Sequence, residues 1–319
     1  MPGGPADVPR LGPFLDDLAR RYHQPRYLTP DPLEIPHEYR DDADREVAAF
    51  LASALAYGRV AQILVSTRRV LAALGPSPAR TLRQAEPGHL ADALAEAGHR
   101  FSTGCDVAAL CHSLGESLRQ HGSLAGEFVH VGLGGRPVPA TTCAGEFDLV
   151  EPLERWFEHL RGRRFPACFG PAPGQRPSFA HLLPQPATGS ACKRAHLFLR
   201  WMIRLADGVD LGLWAHVAPP AVLLMPVDTH VLRLSQNLGL TTRRDASLAT
   251  SRAITAALAR VAPQDPVRYD FALTRLGILA ECPTRERLEK CAACGLSPAC
   301  QRRAALEATV AAGVGRQAG

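Results

Sequence analysis

The sequence is dominated by apolar residues placed at helical spacing, and this most constrains its fold. Between Asp41 and Tyr57, apolar side chains fall on one helical face, and the segments 62–74, 107–118 and 149–160 repeat the pattern. The segment 62–74 stops at Gly75-Pro76, and such a pair is a common helix end. Alternating apolar and polar residues, typical of β-strands, are nearly missing. The patterns predict an all-α fold of many short helices.

Composition limits the classes of protein to which the chain can belong. Hydrophobic residues make up 46% of the chain and charged residues 21%, which is typical of a globular protein. The net charge of +5 permits a polyanionic partner without requiring one. Residues 1–10 lack the apolar core of a signal peptide, and the longest apolar stretch, 219–227, is too short to cross a bilayer. An odd number of cysteines, nine, is atypical of a secreted disulfide framework, so we expect a cytoplasmic protein.

Two segments depart from the helical texture. Residues 164–187 include six prolines and show no apolar rhythm, which predicts a long loop. Such a loop is either functional or a variable surface insertion, and the sequence favours neither. We expect residues 306–319 to form a flexible tail.

Four cysteines lie close together near the end of the sequence. Cys282, Cys291, Cys294 and Cys300 follow the spacing C-x8-C-x2-C-x5-C. Thiolates favour zinc and iron–sulfur clusters, and the C-x2-C step lets one tight turn direct two sulfurs at the same centre. We therefore predict a metal centre on these four residues, and the spacing alone leaves zinc and iron–sulfur open.

The C-terminal third of the chain resembles the helix-hairpin-helix DNA glycosylases. Endonuclease III and the adenine-DNA glycosylases end in a very similar cysteine loop, which holds a [4Fe–4S] cluster and follows a helix carrying a glycine. In this sequence Phe271-Ala-Leu-Thr-Arg-Leu-Gly277 precedes Cys282 in the same way. The resemblance implies a [4Fe–4S] cluster on the four cysteines, with zinc as the alternative. It also implies a DNA-contacting loop that includes Arg285, Arg287 and Lys290.

A second match lies upstream, in Gly189-Ser-Ala-Cys-Lys-Arg-Ala195. This segment aligns without a gap with the glycosylase hairpin G-V-G-R-K-T-A and places Lys193 at the lysine that is the nucleophile of the bifunctional members. The resemblance further implies that Gly189, Ser190 and Arg194 contact DNA.

Lys193 also has a physical case. In the first turn of a helix a lysine feels the positive end of the dipole, and Arg194 beside it acts in the same direction. Both disfavour the ammonium form, whereas attack on a sugar C1′ and Schiff-base formation require a neutral amine. A solvated lysine on a helix face is the simpler interpretation of the residue alone, and the alignment favours the nucleophile.

The most specific match is Val227-Asp-Thr-His230, followed by a helix with an arginine and an asparagine. It resembles the V-D-T-H motif of the glycosylases and places Asp228 at their catalytic aspartate. Asp228 is also a good N-cap for the helix that starts near Thr229, and the two roles are compatible. A carboxylate there can stabilise an oxocarbenium-like sugar and accept a proton. We interpret His230 and Arg233 as structural.

The N-terminal half resembles the glycosylases less. Leu55 stands where they carry the glutamine that fills the gap left by a flipped base. Tyr57 and Arg59 are the candidate substitutes, because an aromatic ring can stack and an arginine can hold phosphate. A helix that ends at Gly58 beside a surface arginine explains the same residues. The motif set as a whole also resembles a bacterial family of unknown function.

The resemblance implies a two-lobed glycosylase-like fold, with a central helical domain, 40–205, that ends in the helix-hairpin-helix element, and a cluster-bearing domain from 1–39 and 206–305. The function that it implies is base-excision repair of damaged double-stranded DNA by a monomeric glycosylase with AP-lyase activity, close to the nucleoid. Lys193 and Asp228 would be its catalytic residues. The alternative is a non-catalytic binder of damaged or branched DNA. Ala191, in place of the second hairpin glycine, favours that alternative.

Overall fold

The computed structural model describes residues 8–279, 281–282 and 288–303. These residues form fourteen α-helices and no β-strand, which confirms the predicted all-α class. The helices are α1 Val8–Tyr22, α2 Asp42–Ala54, α3 Val60–Leu74, α4 Pro78–Gln84, α5 Pro87–Ala93, α6 Gly104–His121, α7 Leu124–Glu127, α8 Val150–Arg161, α9 Pro177–Ala180, α10 Lys193–Ile203, α11 Thr229–Asn237, α12 Leu248–Ala259, α13 Asp270–Ile278 and α14 Leu288–Ala293.

Local chemistry sets several of these helix ends. The Asp41 side chain accepts hydrogen bonds from the amides of Ala43 and Asp44, so it caps α2 in place of the missing backbone partners. Gly75 ends α3 with a φ of 82°, a conformation that costs glycine little. The four helices predicted from apolar spacing are thus present as α2, α3, α6 and α8, with ends that differ by a few residues.

The buried apolar side chains form two main cores. The large core draws on residues between Leu28 and Leu223, with Val267 and Phe271 added from the C-terminal part. The small core is built from α1, Ala191, α11–α13 and Leu296. Helix α10 borders both cores, because most of its residues pack in the large one while its first turn faces the helices of the small one. The candidate site lies at this border.

Two segments outside the longer helices are anchored in the large core. The proline-rich stretch 164–187 is mostly irregular, as predicted, but Phe169 and Phe179 are fully buried, so it is not a loose surface insertion. The segment after α10 buries Trp214, whose indole N–H donates to the buried carboxylate of Glu46 over 2.6 Å. Both segments therefore contribute to the interior.

The predicted domain boundaries, 40–205 against 1–39 with 206–305, remain a prediction. The large core nevertheless includes residues outside 40–205, such as Leu33 and Val209. The predicted tail, 306–319, lies outside the described residues. Within the described part of the chain, no helix is both long and apolar enough to cross a membrane.

Candidate functional site

The structure brings together the two predicted catalytic residues, which are 35 positions apart. Lys193 is the first residue of α10, after Cys192, whose left-handed backbone (φ 41°) turns the chain into the helix. The Nζ atom of Lys193 lies 2.5 Å from Oδ2 of Asp228. About a third of each side chain is exposed, 33% and 34%. The pair is therefore accessible from solvent.

The two carboxylate oxygens of Asp228 accept hydrogen bonds from different partners. Oδ1 accepts hydrogen bonds from the amides of His230 (2.9 Å) and Val231 (2.8 Å), which caps α11. Oδ2 accepts from Lys193. Burial raises the pKa of Asp228, but the Lys193 charge, its hydrogen bond and the α11 amides outweigh burial, so the pKa is lowered overall. The carboxylate is ionised, as both predicted roles require.

One charged group beside Lys193 was not weighed in the sequence analysis. The helix dipole and Arg194 were expected to favour the neutral amine, and the charged group nearest to that amine is the carboxylate of Asp228. Arg194 directs its guanidinium away, to the carbonyl oxygens of Ala54 and His181. A nucleophilic Lys193 therefore has to pass a proton on first, and Asp228 is the adjacent acceptor.

The pair lies on a cavity of about 420 Å³, which is within the range of about 300–1,000 Å³ usual for small-ligand sites. Helix α10 contributes Lys193, Leu197 and Arg200, which share one face because they are spaced at i, i+4 and i+7. The remaining wall is mixed polar and apolar and comes from four parts of the chain: Asp31, Pro32, Ala56, Gly58, Val60, Ile63, Asp228, His230, Asp270, Phe271, Thr274, Arg275, Gly277 and Ile278.

A second ion pair, which the sequence analysis missed, stands behind the first. Arg200 donates to Oδ2 of Asp270 over 2.6 Å, and also lies 3.2 Å from Asp210. Both Arg200 and Asp270 are almost fully buried, and Oδ1 of Asp270 has no hydrogen-bond partner. The sequence feature that could have predicted this pair is the arginine in the apolar run Phe198-Leu-Arg-Trp-Met202, because a buried guanidinium needs a carboxylate partner.

His230 and Arg233, which were interpreted as structural from the sequence, make contacts within the protein. Arg233 can only donate, so its 3.0 Å contact makes Nδ1 of His230 the acceptor and leaves the proton on Nε2. The His230 ring packs so closely on Gly277 that a Cβ there would lie 2.1 Å from Nε2. Arg233 also donates to the carbonyl of Cys282 over 2.8 Å. These contacts fix α11, and with it Asp228, against α13.

The predicted DNA-contacting residues Tyr57 and Arg194 contact each other. The Arg194 guanidinium lies 4.8 Å from the centre of the Tyr57 ring, and burial lowers the pKa of Arg194 to about 10. The Tyr57 hydroxyl donates to the carbonyl of His99 over 2.7 Å. These internal contacts favour a packing role for both residues. Arg59, at the start of α3, is exposed.

Arg100 and Phe101 form an aromatic and basic tip beside Tyr57, which the sequence analysis did not single out. Phe101 is 62% exposed, and its ring is nearly parallel to that of Tyr57 at 6.4 Å between centres. The Arg100 guanidinium lies 5.3 Å from the Phe101 ring centre. Gly58, which also lines the cavity, leaves room for Arg100, because a Cβ at Gly58 would come 2.5 Å from that guanidinium. The tip therefore adjoins the cavity that holds Lys193.

The predicted hairpin residues Gly189 and Ser190 lie just before α10. Gly189 has a φ of 79°, its amide donates to Pro186 and its carbonyl accepts from the Leu248 amide. The exposed Ser190 forms an isolated bridge with Ser247. The turn is thus held by the start of α12, and Ala191 is buried in the small core.

The four predicted ligand cysteines are all partly buried and carry free thiols. Burial raises the pKa of Cys282, and this outweighs the charge of Arg233, which lowers it. In the described part of the chain, the one group of three or more side chains whose ligand atoms all lie within 4.8 Å of one another is His23, Asp207 and Asp210, so no three of the cysteine sulfurs are that close. Arg285 and Arg287 of the predicted DNA-contacting loop lie outside the described residues, and Lys290 is in α14.

A larger cavity, of about 610 Å³, lies elsewhere and contains none of the predicted site residues. It is lined mainly by residues 144–151, residues 221–224 and the face of α12 around Arg252, whose guanidinium pairs with Asp148. The smaller cavity is the better candidate site, because only it combines a lysine, three carboxylates and two arginines.

Comparison with known proteins places the chain in a family without assigning it an activity. No curated protein and no solved structure matches the chain. A family model matches residues 31–279, which include both ion pairs and end just before Cys282. The chain therefore belongs to that family, described as a protein of unknown function (DUF2400).

Proposed function

We propose that the protein is a DNA base-excision glycosylase with AP-lyase activity, in which Lys193 and Asp228 act on one sugar. The ion pair between them, open to solvent on a cavity, carries the proposal. A lysine amine that is to attack a sugar C1′ needs a base to take its proton, and Asp228 is 2.5 Å away. The resemblance of both residues to the glycosylase motifs supports the same assignment.

The lysine content of the chain adds weight to Lys193. The sequence has 36 lysine and arginine residues, and only Lys193 and Lys290 are lysines. Arginine serves as well as lysine for surface charge or for holding phosphate, but its guanidinium does not lose a proton in proteins. A lysine beside a carboxylate in a cavity is therefore better explained by amine chemistry than by charge.

The rim of the cavity supports a nucleic-acid partner. Arg59, Arg100 and the exposed Phe101 ring lie around Gly58 at the mouth. Guanidinium groups attract phosphates, and an exposed aromatic ring can stack on an unpaired base. We propose duplex DNA carrying a damaged base as the substrate, a monomeric protein and a place at the nucleoid in the cytoplasm. A two-lobed helix-hairpin-helix architecture is part of the same proposal.

Borohydride trapping tests the proposal, because borohydride reduces an iminium to a stable amine. The parent protein should form a covalent complex with a duplex that carries an aldehydic abasic site. Lys193→Gln should abolish the complex and still bind the duplex, whereas Lys290→Gln, the matched control, should trap like the parent. Because these are the only two lysines, retained trapping by Lys193→Gln would assign the reaction to another amine and refute the residue assignment.

We further propose that Cys282, Cys291, Cys294 and Cys300 hold a [4Fe–4S] cluster, with zinc as the alternative. Thiolate ligands suit both, and the cluster would order the chain that Arg233 ties to α11. Anaerobically purified protein should contain about four irons per chain and absorb broadly in the blue. Cys291→Ser should lower the iron content and the solubility, because metal binding contributes to folding. Stoichiometric zinc without iron would rule out the cluster.

The second candidate is a non-catalytic binder of damaged or branched DNA. The observation that favours it is the ion pair itself, since the amine of Lys193 is already bound to Asp228. This function predicts duplex binding that weakens steeply with salt, without trapping by the parent protein. Absence of duplex binding at low salt would refute both candidates.

A further inference from the structure

We propose that the tip formed by Arg100 and Phe101 binds an unpaired base of a single DNA strand beside the cavity, an inference that rests on the proposed function for its DNA partner. Phe101 is the most exposed aromatic side chain of the described residues, at 62%. One exposed ring is common on protein surfaces. Here, however, the ring is held in a fixed position, continues a stack of rings and has cations around it.

The tip is a two-residue turn between His99 and Ser102, which exchange both backbone hydrogen bonds over 2.8 and 2.9 Å. Such turns usually carry asparagine, aspartate or glycine, because their backbone enters the left-handed region. Here Arg100 has a φ of 51°, a conformation that arginine rarely adopts, and Phe101 takes the second position. The chemistry of the turn therefore does not explain why this pair of residues stands there.

Side-chain hydrogen bonds tie the turn to its neighbours. Nε2 of His99 donates to the carbonyl oxygen of Tyr57 over 2.9 Å, and Nδ1 accepts from the Ser66 hydroxyl over 2.9 Å. The Ser102 hydroxyl donates to the carbonyl oxygen of Ser178 over 2.9 Å. The turn is thus linked to the segment after α2, to α3 and to α9. The exposed ring stands on a fixed support, which lowers the entropic cost of binding a partner.

The rings around the tip form a stack that ends at Phe101. The Phe101 and Tyr57 rings are within 5° of parallel, with 6.4 Å between their centres. The Arg194 guanidinium lies 4.8 Å from the centre of the Tyr57 ring, and the His181 ring meets both aromatic rings edge to face. A planar base placed on Phe101 would extend this stack, and any base can do so because every base has a π-face.

The charges at the tip complement a phosphate backbone. The Arg100 guanidinium lies 5.3 Å from the Phe101 ring centre, and Arg59 is exposed at the start of α3, a helix without a carboxylate. Burial lowers the pKa of His181, and the charges of Arg194 and Arg100 lower it further. The surroundings of the ring are therefore positive, which favours the backbone of a nucleic acid as the partner.

The tip is continuous with the cavity that holds Lys193. Gly58 lines that cavity and leaves room for the Arg100 guanidinium, because a Cβ at Gly58 would come 2.5 Å from it. A strand whose damaged nucleotide lies at Lys193 can therefore place a phosphate at Arg100 and a neighbouring base on Phe101. A base can leave its own stack for Phe101 only when it is unpaired. We therefore expect the proposed substrate to be bound best where its strand is unpaired beside the lesion.

Binding to unmodified DNA tests the tip by itself. The affinities for a short single strand and for the fully paired duplex of the same sequence are measured by fluorescence anisotropy. Phe101→Ala should weaken single-strand binding roughly tenfold, because one aromatic–base stack is lost, and should leave duplex binding unchanged. Phe101→Trp should bind the single strand at least as tightly as the parent. Phe147→Ala, the matched control, removes another exposed ring and should change neither affinity.

The salt dependence of the same binding separates the phosphate contact from the stacking. Arg100→Gln should reduce the slope of log affinity against log salt for the single strand by about 0.7, the contribution of one phosphate. Phe101→Ala should leave that slope as it is in the parent, because the ring carries no charge. An unchanged slope in Arg100→Gln would contradict the proposed strand position.

Three results would overturn the inference. The first is single-strand binding by Phe101→Ala at the affinity of the parent. The second is an equal loss for the single strand and the duplex, because the tip would then not require an unpaired base. The third is binding by Phe101→Leu at the parent affinity, because an apolar contact of the kind found in protein interfaces would then explain the exposed ring.

A strand with an abasic site connects the tip to Lys193. The base on each side of the abasic site is removed in turn, and binding is compared between the parent and Phe101→Ala. Removing one of the two neighbours should weaken binding roughly tenfold in the parent and leave Phe101→Ala unaffected, because the two partners of one contact are coupled. Absence of coupling at both neighbours would overturn the inference.

The outcomes for the tip and for the proposed chemistry are distinguishable. A parent protein that traps on the abasic duplex but does not bind the single strand overturns the inference alone. A parent that binds the single strand through Phe101 but never traps refutes the proposed glycosylase and AP-lyase chemistry alone, and the tip then belongs to a non-catalytic DNA binder.

Discussion

Two residues on the same face of α10, Lys193 and Arg200, form ion pairs that differ in burial. Lys193 reaches Asp228 at the start of α11, and two turns later Arg200 reaches Asp270 at the start of α13. A third of each side chain in the first pair is exposed, whereas the second is buried and shared with Asp210. The exposed pair can exchange partners with a substrate at little cost. Opening the buried pair would leave an uncompensated charge in the interior.

The largest expected effect separates the two pairs by stability. Arg200→Ala leaves Asp270 and Asp210 without their shared cation and should lower the free energy of unfolding by about 3–5 kcal/mol. Lys193→Ala removes a partly exposed partner and should cost about 1 kcal/mol or less. Urea unfolding of both variants and the parent measures the difference. Equal losses would show that exposure does not distinguish the pairs.

The next effect concerns how α11 is held beside α13. Gly277→Ala places a Cβ within 2.6 Å of three atoms of the His230 ring, which Arg233 holds by a hydrogen bond. Overpacking of this kind should lower the free energy of unfolding by about 1–3 kcal/mol. It should also slow trapping, since Asp228 moves with His230. The control is Gly88→Ala, because a Cβ at Gly88 meets open space. Gly75→Ala is unsuitable, because Gly75 has a φ of 82°. Unchanged stability would mean that the ring moves aside freely.

The smallest effect isolates the charge of Asp228. Asparagine keeps the cap but not the ion pair, so Asp228→Asn should cost about 1 kcal/mol or less at neutral pH. The pKa of Asp228 is lower in the folded state, so its contribution is complete above the unfolded value of 3.8 and is lost as the pH falls through the folded pKa. The difference in unfolding free energy between parent and variant should therefore narrow as the pH falls below about 4. A difference that stays constant from pH 7 to pH 2 would exclude the ionised carboxylate as its source.

The sequence predicted the first pair more completely than the second. Lys193 and Asp228 lie in short motifs that resemble those of the glycosylases, and each begins or caps a helix, so both could be named as candidates from the sequence. Arg200 and Asp270 lie in apolar helical segments, where burial depends on which faces meet. The internal contacts of Tyr57 and Arg194, predicted as DNA ligands, depend equally on tertiary packing. So does the exposure of Phe101.

The sequence by itself determined the helical class and the positions of the main helices, because these follow from apolar spacing and local hydrogen bonds. The tertiary structure alone decided that Lys193 is paired with Asp228 and that Asp270 lies behind them. These facts depend on the orientation of helices far apart in the chain. Packing of the whole core fixes those orientations, and no local pattern encodes them.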